Sequence, residues 1–223
     1  MVAPNRQVNY FIDRHRNRAD GMERGRPRSF DKEVALKRAM EMFWAKGYEG
    51  ASMADLTAAM GIASPSIYAA FGCKEELFRQ ALQYYVATEG PEIWNGVRQA
   101  PTAFEAIESF LMQTARAFTR RSRPPGCLVV LAALHATDQS EMVRRELIAM
   151  RAKTVEDLRQ RLAQGVASGE ISPKADLAAI ARYYVTVQQG MSIQARDGAS
   201  RRDLEHIAGA ALAAWKSLTG ASD

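Results

Sequence analysis

The chain has 223 residues, 47% of them hydrophobic and 25% charged, with a formal net charge of +5. This is enough apolar material for one large or two modest packed domains; no apolar run approaches the roughly 18 residues of a membrane span, and the polar, arginine-rich start is unlike a signal peptide, so a cytoplasmic protein with no membrane partner is expected. The two cysteines, Cys73 and Cys127, give no disulfide framework and fall in no paired metal-ligand spacing, so neither a metal site nor a cofactor is expected.

Residues 1–29 show no apolar periodicity and are expected to form a disordered or partly helical arm. The first thirty residues carry seven arginines against Asp13, Asp20 and Glu23, which places nearly all of the net positive charge there. Arg24, Arg26 and Arg28, separated by Gly25 and Pro27, suit a flexible cationic stretch that follows a phosphate backbone or enters a minor groove; a solvated tail is the alternative.

Asp31 has the chemistry of an N-cap for a helix whose apolar face holds Leu36, Ala39, Met40 and Phe43, and Lys46 followed by Gly47 terminates it. Trp44 on that helix reads as packing for a small core. Ser52 and Asp55 have the spacing of a capping box that starts a short helix at Met53, which Gly61 ends in the left-handed conformation. Ser64 then reads as a second N-cap and Pro65 as the first residue of another helix. Leu56, Met60, Ile62 and Ile67 can wedge the two short helices together, leaving Pro65, Ser66, Tyr68, Ala69 and Ala70 at or near an exposed face. The pattern is a helix-turn-helix with a recognition helix.

Tyr48, Gly50, Ser52, Leu56, Met60-Gly61-Ile62, Ser66-Ile67-Tyr68, Phe71 and Lys74-Glu75-Glu76-Leu77 together resemble the DNA-binding signature of the TetR family of transcriptional regulators, at fixed spacing and without a gap. The resemblance implies an all-α fold with a basic arm over 1–29, a three-helix DNA-binding domain over 30–76, and a helical effector-binding and dimerisation domain over 77–223. It implies a homodimer on an inverted-repeat operator in double-stranded DNA, released by a small-molecule inducer, and a backbone contact for Tyr68. Residues 22–28 look like a more usual start for such a regulator, which would place residues 1–21 upstream of it.

In the groove, Ser64 and Ser66 are short enough to meet phosphate or base edges, and Pro65 and Ala69 to touch thymine methyls. No Arg, Asn or Gln lies in the exposed part of this helix, so specificity is expected to lean on apolar contacts, water and DNA shape. Lys74 and Ser52, each at a helix start, are expected to fix phosphates; the plainer reading leaves Ser52 and Ser64 as caps alone.

Beyond the head, Cys73 is a poor cap for a helix from Lys74 to about Glu89, which Gly90-Pro91 is expected to end; a reactive Cys73 is the lesser reading. Helices are predicted over 103–121, 127–136, 140–168, 174–195 and 201–218, with no strand. Residues 124–130, 169–173 and 189–199 look like the C-terminal domain of one TetR subgroup. An apolar stripe of Leu177, Ala181, Tyr184, Val185, Gln188 and Met191, with Ile207, Ala208, Ala211, Leu212 and Trp215, is expected to pair with its copy in a four-helix bundle. Met112, Phe118, Tyr183, Tyr184, Gln188 and Met191 are candidates for an effector pocket. Cys127, opening a helix with His135 two turns later, is a candidate thiol sensor whose thiolate the helix dipole would favour; a space-filling buried cysteine is the bland alternative.

Two other functions stay open at this stage. An all-α enzyme has little support from histidines at 15, 135 and 206 and no activated-nucleophile motif. A constitutive or architectural DNA binder would share the fold and lack the inducer.

Overall fold

Asp31 accepts the backbone N–H groups of Glu33 and Val34 and so starts α1 (Lys32–Gly50) in the computed structural model, which describes residues 30–133 and 140–220. The arm that holds Arg24, Arg26 and Arg28, and also His135, lies outside those residues. The trace of α1 breaks at Gly47, whose φ of 75° is open to glycine and strained for other residues. The break falls where Lys46-Gly47 signals it, and a short last piece continues to Gly50.

Ser52 and Asp55 form both halves of the capping box that begins α2 (Met53–Met60), and Gly61 ends it at φ 68°. The recognition helix α3 (Ser64–Phe71) follows, and then α4 (Lys74–Gln99), whose N-cap Cys73 makes no side-chain capping bond. Gly90-Pro91 does not end α4. Proline at 91 has no N–H to give the carbonyl one turn back, but both Pro91 and Ala87 are exposed, so water reaches the freed carbonyl. Buried Ile93 and Val97 beyond the proline hold the helix on course against the body.

Thr102 and Glu105 build a second capping box at the start of α5 (Ala103–Phe118). It lies at the centre of the body, packed against α4 and later helices, with Ala106, Ile107, Phe110 and Leu111 almost fully buried. Its predicted last residues form turns instead. There Arg120 pairs with Glu92, and Arg123 with Glu89, across to α4. Next comes α6 (Leu128–Leu131), a single turn, and Ala132 and Ala133 already form a turn; residues 134–136 of the helix predicted to 136 lie outside the described residues. The remaining elements are α7 (Glu141–Ala167), α8 (Leu177–Arg196), α9 (Arg201–Leu212) and α10 (Trp215–Thr219). The last two were expected as one helix; a turn at Ala213 and Ala214 divides them.

Among the described residues every regular element is helical, and no helix is long and apolar enough to cross a membrane. Aromatic contacts join head and body. Phe78 of α4 meets Phe43 at 5.0 Å and Tyr48 at 5.2 Å, and Trp44 meets Tyr85 edge-on at 4.8 Å. Phe43 and Phe78 are fully buried, each contributing on the order of 1.5–3 kcal/mol of transfer free energy. Helix α4 therefore serves both units, with Leu77 and Phe78 in the head and Ile93 and Val97 in the body.

Candidate nucleic-acid interface and effector cavity

Leu56, Met60, Ile67 and Phe71 are buried between α2, α3 and the helices behind them, which fixes the opposite face of α3 outward. Pro65, Tyr68 and Ala69 are exposed on that face, Tyr68 at 51%, and Ser66 is half-buried beside them. Ser64 is not the N-cap. Ala63 holds that position without a side-chain bond, and the Ser64 hydroxyl lies 3.1 Å from Thr57 Oγ1, tying α3 to α2.

Ser52 is exposed but its hydroxyl is engaged. It accepts the Asp55 N–H at 3.1 Å and donates to Asp55 Oδ2 at 2.7 Å. Lys46 Nζ reaches Asp55 Oδ1 at 2.6 Å, and these bonds hold the Asp55 carboxyl down at about 2. Lys74 stands with its ammonium 4.5 Å from the centre of the Tyr48 ring, a cation–π contact, and partial burial draws its pKa down. The ring contact aims the charge beside the C-terminal end of α3.

Hydrogen bonds from Tyr48 and Arg196 further tie this head to the body. The Tyr48 N–H donates to the Ala132 carbonyl at 2.8 Å, just after α6. Arg196, at the end of α8, donates to the carbonyls of Ala45 at 2.8 Å and Trp44 at 2.6 Å, closing the C-terminal end of α1 ahead of the Gly47 break. One turn earlier on α8, Ser192 Oγ accepts the Cys127 N–H at 2.8 Å. Two of the three C-terminal segments singled out in the sequence thus meet, and one turn of α8 grips both the start of α6 and the head.

A cavity of about 770 Å³ opens among α4, α5, α6, α7 and α8. Its wall includes Trp94, Phe110, Phe118, Val130 and Met150, with Cys127 and Gln188 among the polar groups. Cys127 is buried, and Tyr85 Oη donates to its sulfur at 3.4 Å. The expected easy thiolate is not found. Burial pushes the Cys127 thiol up, and the Tyr85 hydroxyl, the α6 amides and Arg151 offset that only in part.

Of the pocket residues expected from sequence, Phe118 and Gln188 line this cavity, whereas Met112, Tyr183, Tyr184 and Met191 do not. Tyr184 is fully buried against Tyr183 and Trp215, its hydroxyl is without a partner, and burial raises its pKa to about 12. Sequence reasoning missed Tyr85, Arg151, Ser192 and Arg196. Arg196 lay inside a segment already singled out, but its partners are 151 residues away along the chain.

A capped first helix, an outward-facing second one and a helical body with a partly open cavity define a helix-turn-helix DNA-binding regulator. Residues 35–81 match the family model "Bacterial regulatory proteins, tetR family", and residues 103–211 match "Tetracyclin repressor-like, C-terminal domain". The chain belongs to the TetR family of transcriptional regulators, which are not enzymes. It is 36% identical to the HTH-type transcriptional repressor ComR of Escherichia coli (strain K12), covering 87% of this chain and 93% of that protein. The repressor BdcR of the same organism is 31% identical over 87% of this chain and 93% of its own length. A cysteine-substituted form of the TetR family regulator CifR, solved with 26-bp double-strand operator DNA, is 46% identical with a TM-score of 0.83, covering 85% of this chain and 100% of that one.

Proposed function

We propose that the chain is a cytoplasmic homodimeric repressor that holds an inverted-repeat operator through α3 of each subunit. It is released when a small molecule fills the cavity or a thiol-reactive compound modifies Cys127. The observation that carries the reading is the exposed face of α3, where Pro65, Tyr68 and Ala69 have no packing task while Ile67 and Phe71 behind them are buried. The operator complex of the CifR relative supports it. Ser64, Ser66 and Tyr68 would meet the groove, Ser52 and Lys74 the phosphates, and Arg24, Arg26 and Arg28 the backbone or minor groove alongside.

The dimer face differs from the stripe expected from sequence. Ala181, Tyr184, Val185 and Met191 on α8, and Ala208, Ala211 and Trp215 beyond it, are buried inside the single chain. The free face of α8 carries Ala179, Tyr183, Thr186, Gly190 and Ile193, with Ile207 and Ala210 on α9. Added Cβ atoms at Gly190 and Gly209 would meet nothing within 4 Å, so nothing within one chain demands glycine there. Small and apolar residues at this spacing suit a second copy.

The test is retardation of an inverted-repeat duplex selected from a randomised pool, with and without iodoacetamide. Binding should be lost on alkylation of the native chain and retained in Cys127→Ser. Failure to select any inverted repeat would sink the operator reading, and release of the Cys127→Ser protein as well would remove Cys127 from it.

A further inference from the structure

We propose that the cavity takes an amphipathic organic acid, with an apolar aromatic or branched body and one carboxylate held by Arg151 and Gln188. The inference rests on reading this cavity as the effector site. The body of such a ligand would lie against Ile93, Trp94, Val97, Phe110 and Phe118. The volume of about 770 Å³ lies within the range of small-molecule sites.

The charge on the wall decides the head group. Both wall carboxylates are already engaged, Glu89 with Arg123 and Asp157 with Lys153 at 2.7 Å. Of the wall arginines, Arg161 spreads its guanidinium over the carbonyls of Val97, Ala100 and Thr102, and Arg98 lies exposed at the rim with Asn95. Arg151 remains. One of its N–H groups goes to the Val129 carbonyl at 2.9 Å, it has no carboxylate partner among the described residues, and its charge reaches Cys127. It is half-buried, and burial draws its pKa down, the sign of a cation short of compensation.

Gln188 supplies the second, independent observation. It is 8% exposed, lines the cavity, and has no hydrogen-bond partner among the described residues. It sits on α8 one turn before Ser192, which accepts the Cys127 N–H, and the Arg151 charge reaches Cys127, so both residues belong to the part of the wall around Cys127. A carboxylate there gains a charge-assisted bond from Arg151 and gives the Gln188 amide a partner. A cationic ligand would find no free acid, and a neutral one would leave the guanidinium without a counter-charge.

The experiment is calorimetric titration of the full chain with two probes of one carbon frame, 4-phenylbutanoate and 4-phenylbutan-1-ol. The acid should bind about tenfold to a hundredfold more tightly than the alcohol. Arg151→Gln should bring the acid down to the alcohol's affinity while leaving the alcohol unchanged, and Arg151→Lys should keep most of the preference. Equal binding of the two probes, equal loss of both in Arg151→Gln, or binding of neither would overturn the proposal. Acid binding that depends on Arg151 but leaves operator affinity unchanged would support the ligand class and refute release through this cavity.

Discussion

Asp55 joins the end of α1 to the start of α2, because one carboxylate serves both Lys46 and the Ser52 cap. Its pKa falls from 3.8 to about 2 in the folded chain, so the stability it lends is complete above about pH 4 and is lost as pH drops towards 2. Asp55→Asn should lower the melting temperature at neutral pH and flatten its dependence between pH 4 and 2, read from melts across that range. Lys74→Gln should weaken binding to all duplexes alike and reduce the slope of log affinity against log salt by about one unit. A sequence-selective loss would instead give Lys74 a role in base reading. The Ser52 box was legible because both partners lie within one turn of chain. The Ser64 hydroxyl was not, because its partner Thr57 comes from the preceding helix and local spacing does not show how the two helices cross.

At the scale of elements, apolar period located the helices well and their ends less well. Pro91 is a strong local stop that tertiary burial of Ile93 and Val97 overrides. The reverse holds at α6, where an apolar run reads as a helix of several turns and, among the described residues, one turn forms. Its start is pinned from outside by Ser192, and just past its end the Ala132 carbonyl accepts the Tyr48 N–H. Gly126 permits this arrangement. Its φ is 80°, and a Cβ there would fall 2.6 Å from the Ser192 carbonyl oxygen. Gly126→Ala should cost at least about 1 kcal/mol, visible as a lower denaturant midpoint at unchanged slope. An unchanged midpoint would mean that the loop finds another path past α8.

For the whole molecule, helical class and head–body division could be read from pattern, but which stripe of α8 faces outward could not. Both faces carry small and apolar residues, and only packing against α5 and α9 shows that Ala181, Tyr184 and Val185 are the inner ones. Ile193, 43% exposed, is the sharper probe of the proposed seam. Ile193→Glu should yield monomers in analytical ultracentrifugation and lose most operator affinity, since one half-site alone binds weakly, while its melting transition stays cooperative. A dimer that survives the change would move the seam elsewhere.

Arg196 anchors the rear of the DNA-reading unit from the last turn of the helix that bears Ile193. In the proposed dimer, a subunit that rolled on its partner would therefore drag the rear of its head along, and two heads coupled in this way would steer together. A compound that altered that roll would reset the distance between them without touching α3.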